Sequence, residues 1–128
     1  MYSIRIVALA VGTTAKWVDN LVTSHSLPGV RRRTRGVTRL VDNAGLGAIA
    51  ICHALVNDLR IPVANAIELA CQAAESQHQL SRLTLLSGLV VEIPVEAIVR
   101  RTRERLVDAI EATSHIRRGR PRVRSQHE

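Results

Sequence analysis

The sequence predicts a mainly α-helical fold that carries one small β-hairpin. Apolar residues recur at helical spacing over most of residues 1–76. Glycine, proline and capping residues separate these periodic segments, and one short stretch rich in valine and threonine surrounds a glycine suited to a hairpin turn. The chain has 128 residues, of which 46% are apolar, so it is long enough for one hydrophobic core.

Two short helices are predicted at the start of the chain. Ser3 is placed to cap a helix over Ile4–Val11, and Gly12 follows as the turn residue. Thr14 then caps a second helix over Ala15–Thr23. Two short helices joined by a tight turn with a glycine are typical of a helix-turn-helix, although many helical hairpins share the pattern.

A basic β-hairpin is predicted directly after the second helix. The turn-forming segment Leu27–Gly29 precedes two stretches that favour strands, Val30–Arg32 and Val37–Val41. Gly36 can adopt the positive φ that a tight hairpin needs. Together with the preceding helices, this ribbon predicts a winged helix-turn-helix.

Two further helices, a strand and a C-terminal helix complete the predicted fold. A core helix over Ala44–Leu59 begins after Asp42 and is apolar on most sides, and Pro62 occupies the first position of a helix that continues to about Ser76. Leu89–Ile93 is the best candidate for a strand. Pro94 then opens a helix to about Ser114.

The positive charge is concentrated in two runs. The net charge is +7, and Arg31–Arg39 and His115–Arg124 each contain five arginines and no acidic residue. Outside these runs acidic residues outnumber basic ones, and Lys16 is the only lysine. Arginine binds phosphates and guanine edges through two parallel hydrogen bonds, so the runs favour a nucleic-acid partner. The alternative is a pair of solvated surface runs, or the arginine bias of a GC-rich genome.

The order of these elements resembles the MerR-type winged-helix DNA-binding domain over about residues 2–75. The matching segments are Ala10–Thr14, Leu27-Pro28, Arg33–Gly36, Arg39-Leu40 and Leu59–Val63. The family usually has Arg-Tyr-Tyr or Arg-Trp in its recognition helix, where this chain has Val18–Leu21, and the wing here is one residue longer. The resemblance implies a dimeric, DNA-binding transcriptional regulator.

The predicted DNA contacts lie in the second helix, the wing and the tail. Several have a structural alternative: Thr14 can act as a cap alone, Trp17 is more often a core anchor, and Asn20 is equally often a plain surface residue. The full candidate set is Thr14, Lys16, Trp17, Asn20, Arg31, Arg32, Arg33, Arg35, Arg39, Arg118, Gly119 and Arg120.

The tail contains Arg118-Gly119-Arg120-Pro121, which is similar to the core of an AT-hook. In that motif an extended Arg-Gly-Arg enters the narrow minor groove of A·T-rich DNA, where the focused negative potential attracts arginine. Nonspecific phosphate binding and an inert tail remain open alternatives.

Apolar positions in the C-terminal helix step by four and three residues, which is typical of a short coiled-coil seam. The seam includes Val95, Val99, Leu106 and Ile110. The resemblance favours a homodimer through this helix, and the alternative is packing against its own domain. We therefore predict a DNA-binding domain over residues 1–76, a strand with a dimerisation helix over 77–114, and a basic, disordered tail over 115–128.

Several other classes of protein are disfavoured. The sequence has no recognisable catalytic motif and no metal-ligand spacing, so we expect neither an enzyme nor a metal or cofactor site. Cys52 and Cys71 fit core positions in a reducing compartment. No signal peptide or membrane span is recognised, so a cytoplasmic, nucleoid-associated protein is expected.

The predicted function is sequence-specific binding of double-stranded DNA as a dimer by a small MerR-like transcriptional regulator. One alternative is an adaptor that uses the winged helix to bind protein, such as an antitoxin or an RNA-polymerase-binding protein. Another is an architectural, excisionase-like DNA protein.

Overall fold

The protein forms a helical body with two small antiparallel sheets. The computed structural model describes residues 1–31, 39–76, 81–84 and 87–125, with residues 76 and 115–125 described by their backbone alone. Over these residues the helices are α1 (Ile4–Val11), α2 (Ala15–Ser24), α3 (Asn43–Leu59), α4 (Val63–Ser76) and α5 (Val95–Ser125). The strands are β1 (Tyr2–Ser3), β2 (Leu40–Val41), β3 (Ser81–Thr84) and β4 (Val90–Ile93). The predicted class, mainly α with a small β element, is confirmed.

Local side chains determine where the first three helices begin. The side chains of Ser3, Thr14 and Asp42 each accept a hydrogen bond from the backbone N–H three residues ahead, at 3.3, 3.1 and 3.0 Å. Each such cap is worth about 1 kcal/mol. Gly12 ends α1 at φ 91°, a conformation that glycine adopts without strain. The predicted caps are therefore confirmed, while Pro62 lies just before α4 rather than inside its first turn.

The sequence did not predict β1. Tyr2 pairs with Val41 and Ser3 with Leu40 in an antiparallel register, so β1 and β2 form the first sheet. A strand of two residues has no period of its own, and its pairing depends on contacts almost forty positions away in the chain. The pairing attaches the start of the chain to the end of the arginine run.

The base of the predicted basic hairpin is present. Val30 bridges Val41 in an antiparallel arrangement, and the N–H of Arg31 donates to the carbonyl of Leu40 at 2.8 Å. The rest of the predicted hairpin, residues 32–38, lies outside the described residues. The two ends of the arginine run are therefore adjacent.

Helix α3 is the centre of the core. Its residues Ile49, Ile51 and Cys52 are fully buried, and it packs against α1, α4 and α5. This burial on several sides is what its apolar sequence predicted.

Helix α5 packs against its own chain, along α1 and α3. Val95 and Leu106 are only 7% and 6% exposed, and Val99 packs against the core, whereas Ile110 is 40% exposed. Of the four residues of the expected dimer seam, Val95 and Leu106 are therefore buried and Val99 partly buried within the chain itself, which corresponds to the intramolecular alternative. Ile93, Val95 and Leu106 belong to the same core cluster as the buried residues of the first four helices.

A second hairpin precedes α5. β3 and β4 pair antiparallel, with Arg82 opposite Glu92, and the two side chains form an ion pair at 2.7 Å. The predicted strand Leu89–Ile93 is observed as Val90–Ile93. Helix α5 then continues beyond the expected end at Ser114 to Ser125. None of the helices in the described ranges is both long enough and apolar enough to span a bilayer.

Candidate nucleic-acid interface

Helices α1 and α2 are joined by a tight turn at Gly12. The N–H groups of Gly12 and Thr13 both donate to the carbonyl of Ala8 at 2.9 Å, which closes the end of α1. Thr14 then starts α2 through its hydroxyl. The turn fixes the direction in which α2 leaves α1, and the two helices pack against each other.

Helix α2 has one buried face and one polar face. Val18, Leu21 and Val22 are buried, while Lys16 and Asn20 are exposed. Lys16 and Asn20 are four residues apart, so they lie next to each other on the helix surface. Both predicted contact residues are therefore on the solvent side of α2.

Trp17 lies at the boundary between the polar and the buried face of α2. Its ring meets that of His53 in α3 edge to face, with 5.2 Å between centroids and 86° between planes. Trp17 is partly buried against the core. Its side chain anchors α2 to α3, which is the structural alternative that the sequence offered for this residue.

Arg39 connects the end of the arginine run to α2. Its guanidinium donates to the hydroxyl of Thr23 and lies 3.6 Å from the carboxylate of Asp19. The Thr23 hydroxyl donates in turn to the Asp19 carbonyl at 2.7 Å. The Arg39 side chain is only 19% exposed, so it is held in place by these partners. Arg39 thus attaches the base of the hairpin to α2.

Arg31 lies at the opposite side of the hairpin base and is exposed. Arg31 and Arg39 both line a shallow hollow of about 380 Å³ beside the C-terminal end of α2. Arg32, Arg33 and Arg35 lie outside the described residues.

Lys16 and Asn20 lie on α2, and Arg39 lies beside α2 because its guanidinium contacts that helix. The sequence did not indicate that Asp19 and Thr23 are partners of Arg39, or that His53 is the partner of Trp17. The i, i+4 spacing of Asp19 and Thr23 shows that they share a face, but no local pattern indicates which distant arginine meets them.

The backbone at Arg118, Gly119 and Arg120 is helical as part of α5. Minor-groove docking of an AT-hook requires an extended backbone, so this segment would have to change conformation to bind in that way. The helical state differs from the expected disordered tail. Arginine is a good helix former, which favours continuation of α5 despite Gly119.

The two cysteines lie at the contact between α3 and α4 and are both free thiols. Burial, and to a smaller extent Cys71, raises the pKa of the Cys52 thiol to about 12. Within the described part of the chain, no group of three or more His, Cys, Asp or Glu residues is arranged to hold a metal ion.

No protein-family model, no curated protein and no solved structure matches this chain. The similarity to MerR-type regulators therefore rests on the quoted residues alone.

Proposed function

We propose that the chain binds double-stranded DNA through α2 and the neighbouring arginine hairpin, as a winged helix-turn-helix regulator of transcription. The observation that carries the proposal is the contact of Arg39 with Thr23 and Asp19. This contact fixes the base of the arginine hairpin against the C-terminal half of α2, the helix on which Lys16 and Asn20 are exposed. A major-groove helix and a backbone-binding wing require this kind of fixed relationship.

The exposed face of α2 carries suitable chemistry. Asn20 can pair with an adenine edge through two hydrogen bonds, and Lys16 can bind a phosphate as a point charge. The acidic Asp19 would repel DNA on the same helix, but the guanidinium of Arg39 lies 3.6 Å from it and offsets its charge. The face is therefore neutral to positive where it would approach DNA.

Arg31, Arg32, Arg33 and Arg35 supply phosphate contacts in this proposal, and the arginines of the tail extend the contact surface. Each contact that displaces a counterion makes binding more sensitive to salt. The tail contribution includes the minor-groove mode only if the end of α5 unwinds.

We include a homodimer in the proposal, because two-fold symmetric pairs place two recognition helices one turn of DNA apart. The pairing surface differs from the expected seam, since Val95 and Leu106 are buried within the chain. Val107 and Ile110 are the large apolar side chains that are exposed in the described part of α5, residues 95–114, at 57% and 40%. A pair of α5 helices in contact through these residues would leave the core intact.

Fluorescence anisotropy with short labelled duplexes over a salt series tests DNA binding. The expected result is saturable binding that weakens steeply with salt, with a reduced salt slope in Arg33→Ala/Arg35→Ala. Lys16→Ala/Asn20→Ala is expected to reduce the preference between duplexes. Arg82→Ala is the matched control, because it removes an exposed arginine of the second hairpin. Binding that is unaffected by the hairpin and α2 variants would contradict the proposal.

A further inference from the structure

A cleft of about 780 Å³ lies beside the helices proposed to bind DNA. It is formed by the end of α1, the second half of α3, strand β4 and the first half of α5. Its volume lies within the range of about 300–1,000 Å³ that is typical of sites for small organic molecules. The cleft has no part in the proposed DNA contacts.

The inner wall of the cleft is apolar. Val11, Ile51, Leu55 and Ile93 line it and are all buried. Ile98 of α5 adds a partly buried apolar side chain. An apolar body of a ligand placed here would lose its contact with water, which contributes about 25 cal/mol for each Å² of apolar surface buried.

The outer wall is cationic. Arg100, Arg101 and Arg105 of α5 line the cleft, and none of them forms an ion pair with another described residue. Arg101 and Arg105 are one helical turn apart on the same face. Free guanidinium groups at this spacing suit a carboxylate or sulfonate, which arginine binds through paired hydrogen bonds.

The acidic residues of the cleft do not cancel this charge. Glu92 is held by Arg82 through two hydrogen bonds at 3.2 and 2.7 Å, outside the arginine group of α5. Asp58 is the other carboxylate at the cleft, and it is exposed. Three arginines therefore outnumber one available carboxylate.

The cleft also reaches two residues that adjoin α2, the proposed DNA-binding helix. His53 lines the cleft on one side and contacts the ring of Trp17 in α2 on the other. Gly12, in the turn between α1 and α2, lines it as well, and a Cβ at that position would lie 3.1 Å from a guanidinium nitrogen of Arg105. A ligand bound to Arg105 would thus lie near the Gly12 turn that starts α2 and near His53, which contacts Trp17 of α2.

We propose that this cleft binds a small organic anion with an apolar body and that occupancy alters the position of α2. Binding of the anion does not depend on the proposed function, whereas regulation of DNA binding through α2, the regulatory half of the inference, rests on it. The concave shape and buried apolar wall favour a small molecule over a DNA phosphate, because a phosphate backbone would leave that wall uncovered.

Trp17 is the only tryptophan of the chain and contacts His53, which lines the cleft, so its fluorescence reports on this site through that contact. Octanoate is titrated into the full-length protein while the Trp17 emission is recorded, and octanamide serves as the uncharged analogue of the same length. The expected result is a saturable change in emission with octanoate and weaker binding of octanamide. Arg101→Ala/Arg105→Ala is expected to weaken octanoate binding about tenfold or more. Arg103→Ala, an exposed arginine of α5 outside the cleft, should leave it unchanged.

Calorimetric titration provides a second measure of binding that does not depend on the fluorescence of Trp17. No saturable binding of octanoate by either method, or equal weakening by Arg103→Ala, would overturn the site. The regulatory half predicts that saturating octanoate changes the DNA affinity about fivefold or more in the unmodified chain and not in Arg101→Ala/Arg105→Ala. Octanoate binding without any DNA binding would overturn the proposed function but leave the site intact. Octanoate binding with an unchanged DNA affinity would overturn the coupling alone.

Discussion

The imidazole of His53 meets the indole of Trp17 edge to face, with 5.2 Å between the ring centroids. This contact joins the central helix of the core to the helix proposed to enter the major groove. It also places a titratable ring in a partly buried position, and the consequence can be measured.

Protonation of His53 is expected to destabilise the fold. Burial, the largest cause, lowers the pKa of His53 from its ordinary value of 6.5; Asp58 raises the pKa and Arg105 lowers it. The unfolded chain therefore binds more protons than the folded one as the pH falls below 6.5, so stability declines there and recovers as the pH rises. Urea unfolding of the unmodified chain and of His53→Gln at several pH values tests this. The variant should lose part of the pH dependence, and an identical dependence in both proteins would contradict the prediction.

Gly29→Ala is expected to be strongly destabilising. Gly29 has φ 77°, and an added Cβ would lie 2.0 Å from a carboxylate oxygen of Asp42 and 2.7 Å from the backbone nitrogen of Gly45. The substitution therefore combines backbone strain with a clash against the cap of α3, and we expect a loss of about 2 kcal/mol or more. Gly88→Ala is the matched control: φ is 91°, but no atom of the described residues lies within 4 Å of the added Cβ, so strain of about 1 kcal/mol is expected. Equal losses by denaturant unfolding would argue against the clash.

Leu106 and Ile110 lie one turn apart in α5 but should respond differently to truncation. Leu106 is buried against the chain itself, so Leu106→Ala is expected to cost about 2–5 kcal/mol of the free energy of unfolding. Ile110→Ala should change it by less than about 0.5 kcal/mol. Sedimentation velocity separates two modes of pairing: the proposed contact through Val107 and Ile110 predicts that only Ile110→Ala weakens self-association, whereas a coiled-coil seam through Leu106 and Ile110 predicts that both substitutions do.

Arg39→Lys tests whether residue 39 supports DNA binding through its positive charge or through its contacts with α2. The variant keeps the positive charge but cannot hold Thr23 and Asp19 with a planar guanidinium. We expect DNA affinity to fall by about tenfold while its salt slope stays unchanged. Arg31→Lys is the control, because Arg31 is exposed and contributes charge alone, so its affinity should change little. A similar loss of DNA affinity in both variants would show that the contacts of Arg39 with α2 do not contribute to DNA binding.

The Cys52 thiol is expected to be unreactive in the folded protein. It is fully buried, and its pKa of about 12 leaves almost no thiolate at neutral pH. In Cys71→Ala, reaction with a chromogenic disulfide reagent should be slow in buffer and fast in urea. Cys52→Ala leaves the less buried Cys71, which should react sooner. Rapid labelling of native Cys71→Ala would show that α3 is more open than its packing indicates.

Features set by neighbouring residues were predictable from the sequence. The caps Ser3, Thr14 and Asp42 act over three residues, so their positions and the starts of three helices follow from the local pattern. The same locality explains the correct prediction of α1, whose end is fixed by Gly12.

Features set by distant contacts were not predictable in the same way. The strand β1 exists only through its pairing with Leu40 and Val41. The spacing of Val95, Val99 and Leu106 shows that α5 has an apolar stripe, but an apolar stripe packs equally well against a second chain or against α1 and α3. The candidate site follows the same division: the exposure of Lys16 and Asn20 was predicted, whereas the attachment of Arg39 to α2 required the fold.

The packing of α1 against α5 also has a consequence for synthesis of the protein. A ribosome makes α1 before α5. The face of α1 that meets α5 therefore stays uncovered until α5 has been made, and the core closes only when Leu106 has left the exit tunnel. Until then the nascent chain presents apolar surface that a chaperone can bind.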